Sequence, residues 1–217
     1  MLIDFKQEYD SKEELMFSFY LSELISGGWL KSAEYHPPHF QLSEDVKVGV
    51  FIKGKNENKF TDIKLLGSHI YTADWLLKWN KKSHGIFYWL GGSVYNKGVY
   101  PYSKANKDNF VPFKAANSDE PYSYIDVKGE SVGRNNSSAI TFPINQKYVM
   151  QQFDVFIQKI TVSLSEKGIF AKTFTPRQVI IDEVYKVNCK TGKIGESKIK
   201  YQPVLLEQFL KLKNKTT

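Results

Sequence analysis

Cysteine is almost absent from the 217-residue chain, which contains only Cys189. A disulfide within the chain is therefore impossible, and this favours a protein of a reducing compartment. The chain also has only four histidines, so a closed tetrahedral zinc site would need distant carboxylates. His36 and His39, in the segment His-Pro-Pro-His, are therefore a weak candidate for a zinc site.

Long apolar runs are also missing from the sequence. No stretch approaches the roughly 18 apolar residues that a membrane-spanning helix requires, and the first residues lack the apolar region of a signal peptide. We therefore expect a cytoplasmic protein with no membrane partner. Hydrophobic residues still make up 41% of the chain and aromatic residues 15%. This composition excludes a disordered chain and favours one globular domain over residues 1–217.

Acidic residues are outnumbered by basic ones, 23 against 30, which gives a net charge of +7. Most of the excess lies in residues 186–217, where eight lysines face two glutamates. We interpret this segment as a basic C-terminal extension. A basic balance favours polyanionic partners, nucleic acid first, although a basic protein without such a partner is equally consistent with charge alone.

Hydrophobic periodicity predicts three helices. The first spans 11–26, with Ser11 as its N-cap, Glu14 as the second member of a capping box, and glycines 27 and 28 at its end. The second is expected over 145–165 and a short terminal helix over 205–212. The second helix offers Lys147 and a glutamine, 151 or 152, as polar residues that can face a site.

Period-two alternation predicts the strands. The clearest is 46–53, and the others are 60–64, an extended segment over 68–79, 86–90, 122–128, and a hairpin of 178–187 with 194–201. Residues 91–121 are rich in Gly, Asn, Lys, Tyr and Pro, which indicates an insertion. Its aromatic residues either fill a small core or stack on bases. The order of elements predicts an α/β fold with a mixed central sheet flanked by helices.

The sequence Ile125-Asp126-Val127-Lys128-Gly129 carries the first chemical signal. Residues two apart on a strand share a face, so Asp126 and Lys128 are neighbours while Val127 faces the core. The carboxylate can hold a hard cation, and the lysine can neutralise charge on a phosphate. An isolated Asp-X-Lys is more often a surface ion pair, so this motif needs further support.

Two more acidic residues supply that support. Asp74 lies among apolar residues in Tyr71-Thr72-Ala73-Asp74-Trp75, where an aspartate is unusual for a strand. Glu14 lies in the first helix. Capping alone explains a glutamate at that position, and the adjacent Glu13 is an alternative for the same role.

In this order, the three motifs resemble those of the PD-(D/E)XK nucleases, especially the phage-type and Holliday-junction-resolvase-like endonucleases. The resemblance spans roughly residues 11–184. It implies a restriction-endonuclease-like αβββαβ core. Alanine replaces the proline before Asp74, and the 91–121 insertion accounts for the long interval between Asp74 and Asp126.

The resemblance also implies the chemistry. Glu14, Asp74, Asp126 and Lys128 would be the catalytic residues. Asp74, Asp126, Glu14 and the main-chain carbonyl of Val127 would hold Mg²⁺, for which Mn²⁺ can substitute. The protein would then hydrolyse DNA at recombination or replication intermediates, in a bacterial or phage-infected cell, as a monomer or a homodimer. Five lysines are expected to contact the DNA backbone, namely Lys147, Lys198, Lys200, Lys211 and Lys213.

The main alternative is a protein that keeps the fold without cutting. It would be a nucleic-acid-binding module or a phage assembly protein. The complete set of three acids and Lys128 favours the nuclease, because a protein that had lost the activity would not need all four.

Overall fold

The computed structural model describes residues 8–55, 57–88, 110, 113–114, 120–130, 137–184 and 197–214. The first helix, α1 (Lys12–Ser26), begins where the capping residue predicts. The Ser11 side chain accepts a hydrogen bond from the Glu14 N–H at 3.2 Å. Gly27 and Gly28 end the helix, and Gly28 adopts a φ of 69°, a left-handed conformation that suits glycine.

The central sheet has four main strands and one very short one. They are β1 (Leu30–Tyr35), β6 (Trp75–Trp79), β8 (Pro121–Lys128), β9 (Ile157–Thr161) and the two-residue β7 (Phe113–Lys114). β6 lies between β1 and β8 and is antiparallel to both, whereas β9 is parallel to β8. The prediction of a mixed α/β fold with a mixed sheet is therefore confirmed at this level.

Two further pairs of strands lie outside the central sheet. β2 (Phe40–Ser43) pairs with β5 (His69–Tyr71), and β3 (Val46–Lys53) pairs with β4 (Asn58–Leu66). Both pairs are antiparallel and are joined by short links at 44–45 and 67–68. The strand predicted over 46–53 is confirmed, and the one predicted over 60–64 is longer than expected.

The extended segment predicted over 68–79 is two strands, because its halves pair with different partners. β5 joins β2 and β6 joins β1, so the chain bends at 72–74 and Asp74 lies just before β6. The side chains that alternate on one side of this segment are all buried, namely Tyr71, Ala73, Trp75, Leu77 and Trp79. The strand predicted over 86–90 is wrong in its described part, where Gly85, with a φ of 79°, opens a turn.

The second helix begins and ends earlier in the chain than its periodicity predicts. Helix α2 is Ser137–Phe153 and includes Pro143, and it ends where Asp154 takes a φ of 54°. The expected helical continuation is instead β9. Phe153, Phe156 and Ile160 have helical spacing, but pairing of Ile157 and Ile160 with β8 overrides that local preference.

The predicted strand over 178–187 is also wrong in its described part, residues 178–184. Residues Arg177–Val184 form helix α4, after a four-residue helix α3 (Ile169–Lys172). Pro176 precedes α4, a position that favours helix initiation, and the buried residues Val179 and Glu183 are one turn apart. The partner strand at 194–201 is irregular at 197–201, and the turn between them lies outside the described residues. The terminal helix is confirmed as α5 (Leu206–Asn214).

The main core lies between α1 and the central sheet. α1 buries Phe17, Tyr20, Leu21 and Leu24 against strand residues such as Trp75, Leu77 and Ile125. Phe110, from the predicted insertion over 91–121, also belongs to this core and lies 5.0 Å from the Trp79 ring centroid. Most of that insertion lies outside the described residues. Within the described part of the chain, no helix combines the length and apolarity needed to cross a membrane.

Candidate active site

Strand β8 brings Asp126 and Lys128 to one face of the sheet. Ile125 and Val127 point into the core, as period-two alternation predicts. Asp126 is only 4% exposed, and its Oδ1 forms an ion pair with Lys128 Nζ. The other oxygen, Oδ2, accepts a hydrogen bond from the Tyr71 hydroxyl at 2.5 Å. A buried carboxylate is thus held by a lysine and a tyrosine.

Asp74 lies beside this pair because its side chain is bonded to β8. Its Oδ2 accepts a hydrogen bond from the Val127 N–H at 2.6 Å, and its main-chain oxygen accepts one from His36 N at 2.9 Å. The antiparallel register of β6 and β8 sets Trp75 opposite Ile125. Residues far apart in sequence therefore meet at this end of the two strands.

Glu14 reaches the same region from the first turn of α1. It is 7% exposed. Ser11 Oγ donates to its Oε1 at 2.8 Å, and the Tyr35 hydroxyl donates to its Oε2. One half of the capping box is present, because the Ser11 hydroxyl accepts a hydrogen bond from the Glu14 N–H. In the other half, the Glu14 side chain bonds to the Ser11 hydroxyl and not to the Ser11 main-chain N–H of a capping box.

The structure also separates the two candidate glutamates of α1. Glu13 lies against Gly129, where a Cβ on the glycine would be 3.0 Å from Glu13 Oε1. Glu14 is the one whose charge acts on Asp74. Of the two, Glu14 is therefore the better partner for the Asp74 and Asp126 carboxylates.

Electrostatics in the cluster are unbalanced. Burial, and next the negative charge of Asp126, raise the pKa of Asp74 to about 7, and Glu14 adds to the effect. Lys128 and the Val127 N–H oppose the rise without cancelling it. Burial and Asp126 also raise the pKa of Tyr71, so its hydroxyl remains a donor. Asp74 and Asp126 thus share one ammonium group, that of Lys128.

This imbalance predicts how Asp74→Asn changes stability without metal. A carboxyl group whose pKa rises from 3.8 to about 7 on folding binds its proton more tightly in the folded protein. The resulting contribution to the free energy of unfolding is fully present below about pH 4. That contribution is lost as the pH rises to about 7. The asparagine variant should therefore match the wild type near pH 4. At pH 8 it should be more stable, by a free energy of unfolding on the order of 2 kcal/mol.

The measurement is chemical denaturation in EDTA at several pH values. Asp45→Asn is the matched control, because Lys64 and the Ser68 N–H lower the pKa of this exposed aspartate. The negative charge of Asp45 contributes stability above the ordinary pKa of an aspartate, and that contribution is lost toward acid pH. Relative to the wild type, the Asp45→Asn control should therefore gain no stability as the pH rises. An Asp74→Asn variant less stable than the wild type at pH 8 would contradict the electrostatic picture.

The donor set suits a hard divalent cation. Carboxylate oxygens are the ligands that Mg²⁺ prefers, and they come from Glu14 on α1, Asp126 on β8 and Asp74 in the bend before β6. Burial and next the negative charge of Asp126 raise the pKa of Asp74, and a divalent ion would offset the second of these effects. The carboxylates fit Mg²⁺ by chemical type, whereas among the described residues the group with three ligand atoms within 4.8 Å of one another is Asp10, Glu14 and His36.

A second cluster, missed by sequence reasoning, borders the first. Asp10, Glu14 and His36 each offer a ligand atom within 4.8 Å of the others, and His36 Nε2 lies 3.6 Å from Asp10 Oδ2. His36 stacks on Tyr35, whereas His39 is not part of the cluster, so the His-Pro-Pro-His zinc pair is not supported. Asp10 and His36 carry no sequence signal beyond their residue types.

The lysines expected to contact DNA are exposed, but they are spread over the molecule. Lys147 lies on α2, Lys198 and Lys200 on the irregular segment before α5, and Lys211 and Lys213 on α5. Arg177 links the start of α5 to α1. Its main-chain N–H donates to Glu23 on α1, and its guanidinium group donates to Glu207 on α5. Glu23 is about 13 Å along α1 from Glu14. The side-chain amide of Gln152, one of the two glutamines expected to face a site, donates a hydrogen bond to the Leu42 carbonyl on β2.

The structure thus brings the Asp74 and Asp126 carboxylates together, with the Lys128 ammonium group beside them. No protein-family model, curated protein or solved structure matches the chain.

Proposed function

We propose that this protein is a metal-dependent endonuclease that hydrolyses phosphodiester bonds in DNA, with Asp74, Asp126, Glu14 and Lys128 as its active site. The observation that carries the proposal is that Asp74, which lies just before β6, is bonded to β8 next to Asp126. Asp74 Oδ2 bonds the Val127 N–H, and Asp126 Oδ1 pairs with Lys128. The order α1, β1, β6, β8, α2, β9 also agrees with the αβββαβ core that the resemblance to PD-(D/E)XK nucleases implies.

The side chains have separate roles. Asp74, Asp126 and Glu14 would hold Mg²⁺ or Mn²⁺, with the Val127 carbonyl as a further ligand. When bound, the ion supplies a Lewis acid that activates water and offsets charge on the phosphate. Tyr71 and Tyr35 orient the carboxylates through their hydroxyl groups. Lys128 orients the attacking water or neutralises charge that develops on the phosphate oxygens.

Only part of the site is open to a substrate. Asp126 and Glu14 are buried, whereas Lys128 is half-buried and Asp74 is partly exposed. Lys159 is exposed and lies opposite Asp126 in the β8–β9 register. A phosphate would thus meet Lys128 and Asp74 first, with a further lysine on the adjacent strand.

The test is a cleavage assay on linear, nicked, single-stranded and four-way-junction DNA, with Mg²⁺, Mn²⁺ or EDTA. We expect cleavage that needs the metal and leaves 5′-phosphate and 3′-hydroxyl ends. Binding of these substrates without cleavage under either metal would favour the non-catalytic binding module. Neither binding nor cleavage would favour an assembly protein.

The C-terminal lysines are expected to contribute affinity and not catalysis. Replacing Lys198, Lys200, Lys211 and Lys213 by glutamine should reduce the slope of log affinity against log salt. The expected change is roughly one unit per lost phosphate contact. The rate at saturating DNA should stay near that of the wild type.

The control removes the same number of charges from a different exposed surface, at Lys47, Lys53, Lys55 and Lys59 on the β3–β4 hairpin. Salt titrations of DNA binding compare the two variants. If the slope of log affinity against log salt is unchanged in the C-terminal variant, the C-terminal segment does not face the substrate. If the slope changes equally in both variants, the effect comes from net charge and gives the C-terminal segment no special role.

A further inference from the structure

The β3–β4 hairpin is left uncovered by the rest of the described chain. Every residue of both strands is exposed or only half-buried. A two-stranded hairpin in water is at best marginally stable without a third strand or a packed face. An arm of about eight residues per strand therefore needs a partner surface to be well ordered.

The register of the hairpin sorts its side chains into two unlike faces. Residues opposite each other in the ladder share a face, and Val46 pairs with Leu66, Val48 with Ile63 and Ile52 with Lys59. The face defined by Val46, Val48, Ile52, Ile63 and Leu66 is called the aliphatic face. Its only charge is Lys59, near the tip.

The opposite face has a different chemistry and is called the aromatic face. Phe51 pairs with Phe60, and Lys47 pairs with Lys64. The Phe60 ring lies over Gly49, where a Cβ would be 2.3 Å from the ring. Lys64 is bonded to Asp45 at the base of the hairpin. Apart from Lys59, charge and aromatic rings are thus separated from the aliphatic face.

We propose that the aliphatic face packs against the same face of a second copy of this chain, so that the protein is a homodimer joined through its hairpins. Each of the five aliphatic side chains is between 39% and 59% exposed. Together they present on the order of 400 Å² of apolar surface, which is the size of the largest apolar patch on a typical monomer, and such a patch often has a function. A stable interface takes roughly 800 Å² from each partner, a little over half of it apolar.

The absence of charge identifies the occupant. A nucleic acid needs cations and ring faces, and these lie on the aromatic face. Selection of a different protein commonly uses charge complementarity, and the described aliphatic face has a charge only at Lys59. A nearly neutral flat face is complementary to itself. A second copy is also always available to a hairpin that must be covered to be ordered.

This interface stands independently of the proposed nuclease function. Its position is still relevant to the site, because β4 leads through 67–68 into β5, whose Tyr71 bonds Asp126. In the dimer, the two hairpins would connect two candidate active sites in one particle.

The first test is the mass of the full chain in solution, by light scattering and sedimentation over a range of concentrations. We expect a dimer. The variant Val48→Thr, Ile52→Thr, Ile63→Thr keeps β-branched side chains and removes apolar surface, and it should weaken dimerisation at least about tenfold. The variant Phe51→Thr, Phe60→Thr, on the aromatic face, should dimerise like the wild type.

The second test leaves the aliphatic residues intact, so it does not depend on how the threonine variant folds. Thr61 pairs with Val50 and so lies on the aliphatic face, and Asp62 pairs with Gly49 on the aromatic face. In a Cys189→Ser background, Thr61→Cys therefore places one thiol on the aliphatic face, and Asp62→Cys places one on the aromatic face. Thr61→Cys should form a cross-linked dimer with a short bismaleimide, and Asp62→Cys should not. A monomeric wild type, or equal cross-linking of the two variants, overturns the proposal. So does a threonine variant that loses DNA binding while its mass is unchanged.

Discussion

Asp126→Asn is expected to lower DNA cleavage by at least roughly a hundredfold while leaving DNA binding intact. The amide oxygen of the variant can still accept the hydrogen bond from Tyr71, so β8 should keep its structure. A neutral amide is a poorer ligand for a hard cation than a carboxylate, so metal affinity should fall. DNA affinity should hold or rise, because one charge that repels phosphate is removed.

Binding and cleavage should be measured on the same substrate, with metal binding followed by calorimetry. Glu34→Gln is the matched control, because it changes an exposed carboxylate to an amide on β1 of the same sheet. It should cut like the wild type. An Asp126→Asn variant that cuts at the wild-type rate would place the active site elsewhere.

Lys128→Met is expected to have an equally large effect on cleavage and the opposite effect on metal binding. Methionine keeps an apolar chain but removes the ammonium group beside Asp126. Cleavage should fall by about a hundred- to a thousandfold, as when one donor to a developing charge is removed. Mg²⁺ affinity should hold or rise, because Asp126 and Asp74 lose their neighbouring positive charge.

The Mg²⁺ affinity is expected to fall in Asp126→Asn and to hold or rise in Lys128→Met. This difference distinguishes a metal ligand from a group that acts on water or phosphate. Lys78→Met is the control, since Lys78 is exposed on β6 and lies opposite Tyr122, away from Asp126. It should change neither cleavage nor metal binding. If Lys128→Met loses metal affinity in parallel with activity, then Lys128 supports the fold of the site and does not act on the substrate.

Local patterns predict the parts of the site that lie on one element. The period of two places Asp126 and Lys128 together on β8, and the capping signal locates Glu14 in the first turn of α1. Asp74, expected on a strand, lies just before β6 instead. Its position depends on the register of β6 with β8 and on the Val127 N–H, and neither can be read from a single segment.

The tyrosine donors are not predicted by any local pattern, because they depend on tertiary proximity. Tyr35 ends β1 and Tyr71 ends β5, and each reaches a carboxylate on a different element. Asp10 and His36 approach Glu14 for the same reason.

The errors in secondary structure have a shared physical cause. Residues 157–161 have helical apolar spacing yet form β9, because a place beside β8 is available. Residues 177–184 have β-branched side chains yet form α4, which packs along α1 through Lys12 with Glu183 and through Arg177 with Glu23. In both segments, packing outweighs a weak local preference.

The position of a bound metal ion tests the central claim most directly. Crystals grown with Mn²⁺ should be measured at a wavelength where manganese scatters anomalously, and the anomalous peaks located relative to the carboxylates. We predict a peak in contact with both Asp74 and Asp126. A peak only among Asp10, Glu14 and His36, or no peak near Asp126 at saturating Mn²⁺, would contradict the proposed active site.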